Sequence, residues 1–319
     1  MTIQEKADAL FKDQLSSWPL LGDNWARLEE ARVKSFAFDG FSIRVQCNPK
    51  RIVSSAAKVD KVSIEKRLCF LCTEHRPPEE KNVWFGEEYE ILCNPFPIFK
   101  QHYTIARHAH TPQVIEPEFA AFLELSRALP DLALFYNAPN CGASAPDHMH
   151  FQAGNRGFMP VEEELAALKT RYGKLLFVDS GMTLYAVDDG LRRFHVAESP
   201  SAYILENYAM HAIKLIRDQQ DGQEPMINML SYYQKGWQVL LFPRHRHRPW
   251  QYFEEGEKNI LLSPASVDMG GTLITPLEKD FAKISREDIM DIFSQVSFSA
   301  ETFEKLNGYV KNKLQGHGK

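Results

Sequence analysis

Asp147-His148-Met149-His150-Phe151-Gln152 decides how this chain is read. Two histidines stand one residue apart in a run that alternates polar and apolar. On a strand, side chains at i and i+2 share a face. His148, His150 and Gln152 are therefore expected on one side, with Met149 and Phe151 packing on the other. Imidazole and amide groups on one rigid edge make a poor core but a good phosphate or metal site. Upstream, Leu134-Phe135-Tyr136-Asn137 reads as an apolar strand feeding a loop, Ala138 to Pro146, rich in small residues and proline. Such a loop can offer backbone N–H groups to an anion. An ordinary polar strand face is the alternative for His-x-His taken alone.

The composition narrows the class. With 319 residues, 44% of them hydrophobic, the chain can bury one large core or two of ordinary size. A net charge of −5 supplies no global basic field, so nucleic acid is not an expected partner. The start, Met1 to Leu15, is charged and amphipathic and lacks the apolar centre of a signal peptide. No run approaches the length of a membrane span, so a membrane is not an expected partner either. The cysteines are Cys47, Cys69, Cys72, Cys93 and Cys141. An odd, sparse set argues against a disulfide framework and for a reducing compartment, which makes the cytoplasm the expected location.

Helices are expected over 3–16 and 24–34. A hairpin is expected over 35–46 around Asp39-Gly40. The basic loop after it contains Arg51, a candidate phosphate contact. Cys69-x-x-Cys72 lets two thiolates reach one tetrahedral zinc, with histidines from elsewhere completing the set. A redox dithiol is a rival, but Arg76-Pro77-Pro78 breaks any helix that should follow it. Two unliganded thiols are the remaining alternative.

Residues 89–110 read as strand, Pro-rich turn and strand, with His110 at the end. A helix over 112–125 and a strand over 132–137 follow. The second half repeats this order faintly: a hairpin over 174–187, a helix from Ser199 to Arg217, strands at 226–230, 238–243 and 259–263, and helices near 285–295 and 299–314. Thr104 to Pro112 and Leu241 to Pro249 both pass from an apolar strand through Arg-His-x-His to a proline. That echo suggests an internal duplication.

As a set, these motifs resemble the galactose-1-phosphate uridylyltransferase branch of the histidine-triad superfamily, over most of the chain. The set is Cys69-x-x-Cys72, the Asn94-Pro95-Phe96-Pro97 turn, His110, Asn137 ahead of the Gly/Ser loop, and His148-x-His150-x-Gln152. Phe36–Lys58, His148–Ala153 and Leu262–Leu273 look closest to the phosphorylases of that branch. These include GDP-hexose phosphorylases (the plant GDP-L-galactose type among them) and diadenosine tetraphosphate phosphorylases.

The resemblance implies an α+β fold of two tandem histidine-triad-like repeats of the GalT type, antiparallel sheets with helices packed on them. Residues 1–197 would form the half carrying the zinc knuckle and the catalytic motif, and 198–319 a degenerate second half. It implies His150 as nucleophile, Gln152 as a donor to the transferred phosphoryl group, and Asn137 as an orienting residue. It implies a structural zinc on Cys69, Cys72, His110 and His148, with His108 a rival for the third ligand. Gly142, Ser144, Arg51 and Arg156 complete the candidate substrate contacts. Ser144 stands six residues before His150, whereas the family's loop serine usually stands five before, where this chain has Ala145.

The implied activity is nucleotidyl transfer through a covalent nucleotidyl-histidine. The donor would be a nucleotide-sugar, GDP-hexose favoured, or a dinucleoside polyphosphate, and the favoured acceptor inorganic phosphate. A hexose 1-phosphate acceptor would make the protein a uridylyltransferase, and water a hydrolase. Hydrolases of the superfamily typically carry a third histidine where Gln152 stands. A zinc-stabilised nucleotide-binding protein without catalysis is the non-enzymatic alternative. Homodimers are common in the superfamily, and the resemblance extends that expectation to this chain.

Overall fold

The computed structural model describes residues 1–47, 61–179, 181–220 and 224–316. Arg51 lies outside the described residues. Strands β1 (Arg32–Ala37) and β2 (Ser42–Cys47) form the expected hairpin. Gly40 turns it at φ +83°, the left-handed region that glycine enters without steric cost.

Ten further strands make one sheet. They are β3 (Asn82–Phe85), β4 (Tyr89–Cys93), β5 (His102–Arg107), β6 (Leu132–Asn137), β7 (His150–Asn155), β8 (Gly173–Asp179), β9 (Met182–Asp188), β10 (Arg193–Ser199), β11 (Ile227–Tyr233) and β12 (Trp237–Pro243). Their order across the sheet is β3-β4-β5-β7-β6-β11-β12-β10-β9-β8, and every neighbouring pair is antiparallel. The first five strands and the last five follow one rule: the fifth is inserted between the third and the fourth. In each half a helix links the third strand to the fourth, Phe119–Ala128 in one and Ala202–Asp218 in the other. The two fourth strands, β6 and β11, pair at the centre. The duplication is thus drawn by the topology.

The nine-residue echo is not its trace. The 104–112 stretch ends β5, a third strand, while 241–249 ends β12, a fifth strand. The 197/198 division of the chain cuts β10, whereas the repeat of strand order divides the chain between β7 and β8.

Each face of the sheet is covered. One carries the helices Ile3–Ser17, Phe119–Ala128, Ala202–Asp218 and Ala300–Gly316. In Ala202–Asp218 the buried positions are Leu205, Tyr208, Ala209, Ala212, Ile213 and Ile216, the three-and-four spacing of an amphipathic helix. The helix Ile3–Ser17 starts at a capping box in which Thr2 and Glu5 satisfy each other's backbone N–H. The opposite face packs on a small sheet, β1-β2-β13, whose last strand is β13 (Thr272–Thr275), and on the helices Pro160–Tyr172 and Arg286–Val296. β6 lies at the centre of the large sheet, which is why Leu132 to Asn137 is apolar on both sides and buried throughout.

Met149 and Phe151 enter the helix-covered core, as their alternation with His150 and Gln152 requires. Phe151 is fully buried against Tyr89, Phe122 and Tyr136, a burial worth about 2 kcal/mol. The expected strand at 259–263 is irregular chain instead. Ile260 and Leu262 are buried, but the backbone N–H of Leu261 donates to Asp280 Oδ2 and that of Ile260 to Gln251 O, so no ladder forms. No helix among the described residues is long and apolar enough to cross a membrane.

Candidate active site and metal centre

His150 is the first residue of β7, and His148 stands just before the strand, in the turn. The two imidazoles therefore diverge instead of sharing a face. His148 is wholly buried and turns to the cysteines, while His150 and Gln152 line a cavity of about 410 Å³. Register explains the floor of this cavity. Leu92, Thr104, Gln152 and Phe135 lie side by side across β4, β5, β7 and β6, and all four line it.

The ring of His150 is held in one tautomer. Its Nδ1 lies 2.8 Å from the carbonyl oxygen of His148, which can only accept, so Nδ1 carries the hydrogen. Nε2 of the neutral ring is then a bare lone pair. Burial pushes the His150 pKa down to about 4, so the ring is neutral at physiological pH. Its backbone is clamped as well. Where β6 and β7 part to admit the loop, the buried amide of Gln113 replaces the ladder. Gln113 Oε1 accepts from His150 N at 2.8 Å, and its Nε2 lies 2.9 Å from His150 O and 3.0 Å from Asn137 O.

Two amides present their donor ends to the cavity. His102 Nδ1 accepts from the backbone N–H of Ile98, so His102 Nε2 carries the hydrogen and donates to Gln152 Oε1 at 3.0 Å. That leaves the –NH2 of Gln152 for a ligand. Asn137 Oδ1 accepts from Ser266 N at 2.8 Å and from Asn228 Nδ2 at 2.9 Å, which leaves the –NH2 of Asn137 likewise. A backbone N–H can only donate, so this orientation of Asn137 follows from the network.

The loop ahead of β7 supplies the rest of this wall. Gly142 has φ +98°, and a Cβ there would stand 2.5 Å from Ala265 Cβ, so both conformation and space require glycine. Ser144 lines the cavity, whereas Ala145 is buried against Cys69, Cys72, Leu92 and Ala106. The serine six residues before His150 is thus the one that faces the ligand space.

Arg156 does not line this cavity. It packs over the Tyr232 ring beside Glu162, in a separate depression with Glu198 and Gln238. Among the described residues the cation that lines it is Arg248, from the second half, stacked 4.1 Å from the Tyr252 ring centroid with Nε donating to Ser263 Oγ. Arg244, fully buried, holds this wall. Its guanidinium donates to the carbonyls of Val296, Pro264, Arg246 and His247 and to Asn228 Oδ1. Arg248 carries no distinct signal in the sequence, because the 244–248 run reads as an echo of 107–110. Gln113 and His102 carried no sequence signal at all, since each acts only through tertiary contacts.

On the far side of His148, four donors converge. The ligand atoms of Cys69, Cys72, His110 and His148 all lie within 4.8 Å of one another. Cys69 Sγ is 3.3 Å and Cys72 Sγ 3.6 Å from His148 Nδ1, and Cys72 Sγ is 3.1 Å from His110 Nδ1. His148 Nε2 donates to Arg107 O at 2.6 Å, which frees Nδ1 to ligate. The cluster could hold a metal ion. His108 is not part of it: its Nδ1 lies 2.8 Å from Glu90 Oε1, and its ring packs on Trp84.

Replacing Gln113 by leucine keeps the volume but strands His150 N, His150 O and Asn137 O without partners. We expect kcat to fall about 100-fold through lost alignment of His150. Melting should drop by several degrees, since each stranded buried group costs roughly 1–3 kcal/mol. Steady-state kinetics beside a thermal melt measures both, and an unchanged kcat would remove Gln113 from the machinery.

The fold is similar to that of a solved nucleotide phosphorylase. The yeast Ap4A phosphorylase Apa2 in complex with AMP superposes with a TM-score of 0.64, at 14% identity, over 94% of this chain and 99% of that one. The same enzyme in complex with Ap4A superposes with a TM-score of 0.54, at 14% identity, over 89% of this chain and 97% of that one. Residues 205–317 match the GDPGP1-like C-terminal domain, and residues 10–155 match a domain of unknown function, DUF4922. No curated protein matches the chain in sequence.

Proposed function

We propose that this protein is a nucleotidyltransferase of the phosphorylase type, with His150 as its nucleophile. The observation that carries this reading is the bare Nε2 of a neutral His150 on a cavity that three donors also line: the –NH2 of Gln152, the –NH2 of Asn137 and the Arg248 guanidinium. Such donors suit a phosphate chain, and a neutral imidazole is a good nucleophile toward phosphorus.

In the first step Nε2 bonds to the α-phosphorus of the donor. The bond from that phosphorus to the bridging oxygen breaks, and the rest of the donor leaves as a phosphate. In the second step an oxygen of inorganic phosphate attacks the same phosphorus, the N–P bond breaks, and a nucleoside diphosphate leaves. A GDP-hexose would give hexose 1-phosphate and then GDP. The GDPGP1-like match over 205–317 supports that donor class. A dinucleoside polyphosphate is the second reading, supported by the likeness to a phosphorylase solved with Ap4A.

The metal is zinc in a structural role. Two thiolates and two imidazoles suit a tetrahedral zinc, and four protein ligands leave no open position for water or substrate. When bound it ties the 69–72 knuckle to the turn that precedes His150.

The test is intact-protein mass spectrometry after brief incubation with GDP-glucose, UDP-glucose or diadenosine tetraphosphate, each without phosphate. The expected result is a mass gain of one nucleoside monophosphate on His150 that vanishes when phosphate is added. A metal-replete protein that forms no adduct with any of them would overturn the catalytic reading.

A further inference from the structure

The cavity is lined by two kinds of group: Asn137, Ser144, His150, Gln152 and Arg248 are polar, whereas Trp18, Phe70, Pro77, Pro95 and Phe96 are flat and apolar. Among the described residues two carboxylates line it: Asp268, whose oxygens accept from the backbone N–H groups of Ala265 and Ile274, and Glu80. No described residue hydrogen-bonds the Glu80 carboxylate or pairs with it, in contrast to Glu90 nearby, whose oxygens are taken by Arg76, His108 and Asn82. Glu80 is half-buried, and burial pushes its carboxyl up to about 7 against the pull of Arg76. A carboxylate taken from water without a partner costs free energy that an incoming donor can recover.

We infer that Glu80 reads the base of the bound nucleotide and selects guanine. This rests on the reading above, in which the α-phosphorus sits at His150. Glu80 stands two residues before β3, which lies three places from β7 in the sheet, and the register sets it level with Gly154, four residues along β7 from His150, so roughly 20 Å separates the two backbones at the usual strand spacing and rise. Both residues line the one cavity, and with the reach of the two side chains taken off, a gap of that length fits a ribose and a base. Aromatic and proline faces suit a flat base better than a sugar, whose hydroxyls would find few partners there. Guanine alone among the common bases presents two adjacent donors, N1–H and N2–H2, and these match the two oxygens of one carboxylate. Adenine would turn its N1 lone pair toward one of those oxygens. Uracil offers a single N–H flanked by carbonyls.

The test is equilibrium binding of GMP, IMP and AMP by calorimetry to the wild type, to E80Q and to E80A, with no turnover required. The wild type should bind GMP about 10–100-fold more tightly than AMP, the range of hydrogen bonds to a charged group. IMP, which lacks the 2-amino group, should fall between them. E80Q should lose at least tenfold in GMP affinity and gain in AMP affinity, because a glutamine amide can accept from N6 and donate to N1. E80A should lose the GMP preference without the gain for AMP, and thermal melts would show that both variants stay folded. Equal wild-type affinities for GMP and AMP, or an E80Q variant that still prefers GMP, would overturn the assignment. Selective GMP binding without a covalent adduct would sink the catalytic reading and leave Glu80 in place. An adduct with every donor, unaffected by E80Q, would do the reverse. A wild type that binds no nucleotide would end both.

Discussion

His150→Ala is expected to lower turnover by a factor of about 10⁴ or more, the scale of deleting a covalent nucleophile, while leaving fold and metal in place. The separation follows from where the side chain points. His150 faces the cavity, so truncating it opens ligand space and leaves no void in the hydrophobic core. Its backbone stays clamped by Gln113, and the one internal bond lost is Nδ1–H to His148 O. The ring of His148, one of the four side chains that could hold a metal, is held independently by Arg107 O. Melting temperature and metal content should therefore match the wild type, and the mass-spectrometric adduct should disappear. Retained turnover in this variant would show that the transfer does not pass through His150. Loss of metal or folding would instead show that the two centres are one structural unit.

The parts of this site that the sequence disclosed are those fixed by local spacing. His150 and Gln152 share a face because β7 alternates, and Cys69 and Cys72 converge because a knuckle of that length brings two thiolates to one point. His148 broke the same rule. Its backbone N–H is taken by Ala145 O and the N–H of Met149 by Thr111 O, so the strand cannot begin until residue 150. What local spacing could not disclose came from the other half of the sheet. Arg248, Ser263 and Ala265 reach the cavity because β6 pairs with β11 and Arg244 pins the loops after β12. That pairing spans about ninety residues and leaves no periodic mark in either segment. The choice between His108 and His110 shows the same limit. Both fit the spacing, and only the position of Glu90 on β4 draws His108 away.

Removing a metal ligand should have the second large effect, by a different route. His148→Ala or Cys72→Ser is expected to abolish metal binding, lower the melting temperature by roughly 5–10 °C and reduce turnover at least 100-fold. The coupling is geometric. The backbone oxygen of His148 holds the hydrogen of His150 Nδ1, and its imidazole is tied to the cysteines and to Arg107 O. If the imidazole loses the metal, the turn it anchors relaxes and that oxygen drifts. The tautomer that exposes Nε2 to the cavity is then no longer enforced. His108→Ala serves as the control. Its ring pairs with Glu90 outside the cluster, so this variant should keep the metal and most of the activity. Elemental analysis by mass spectrometry, thermal melts and adduct formation on the same preparations separate the cases. An apo protein that still forms the adduct at the wild-type rate would mean that β7 holds His150 unaided. An His108→Ala protein stripped of metal would mean that the ligand set has been misassigned.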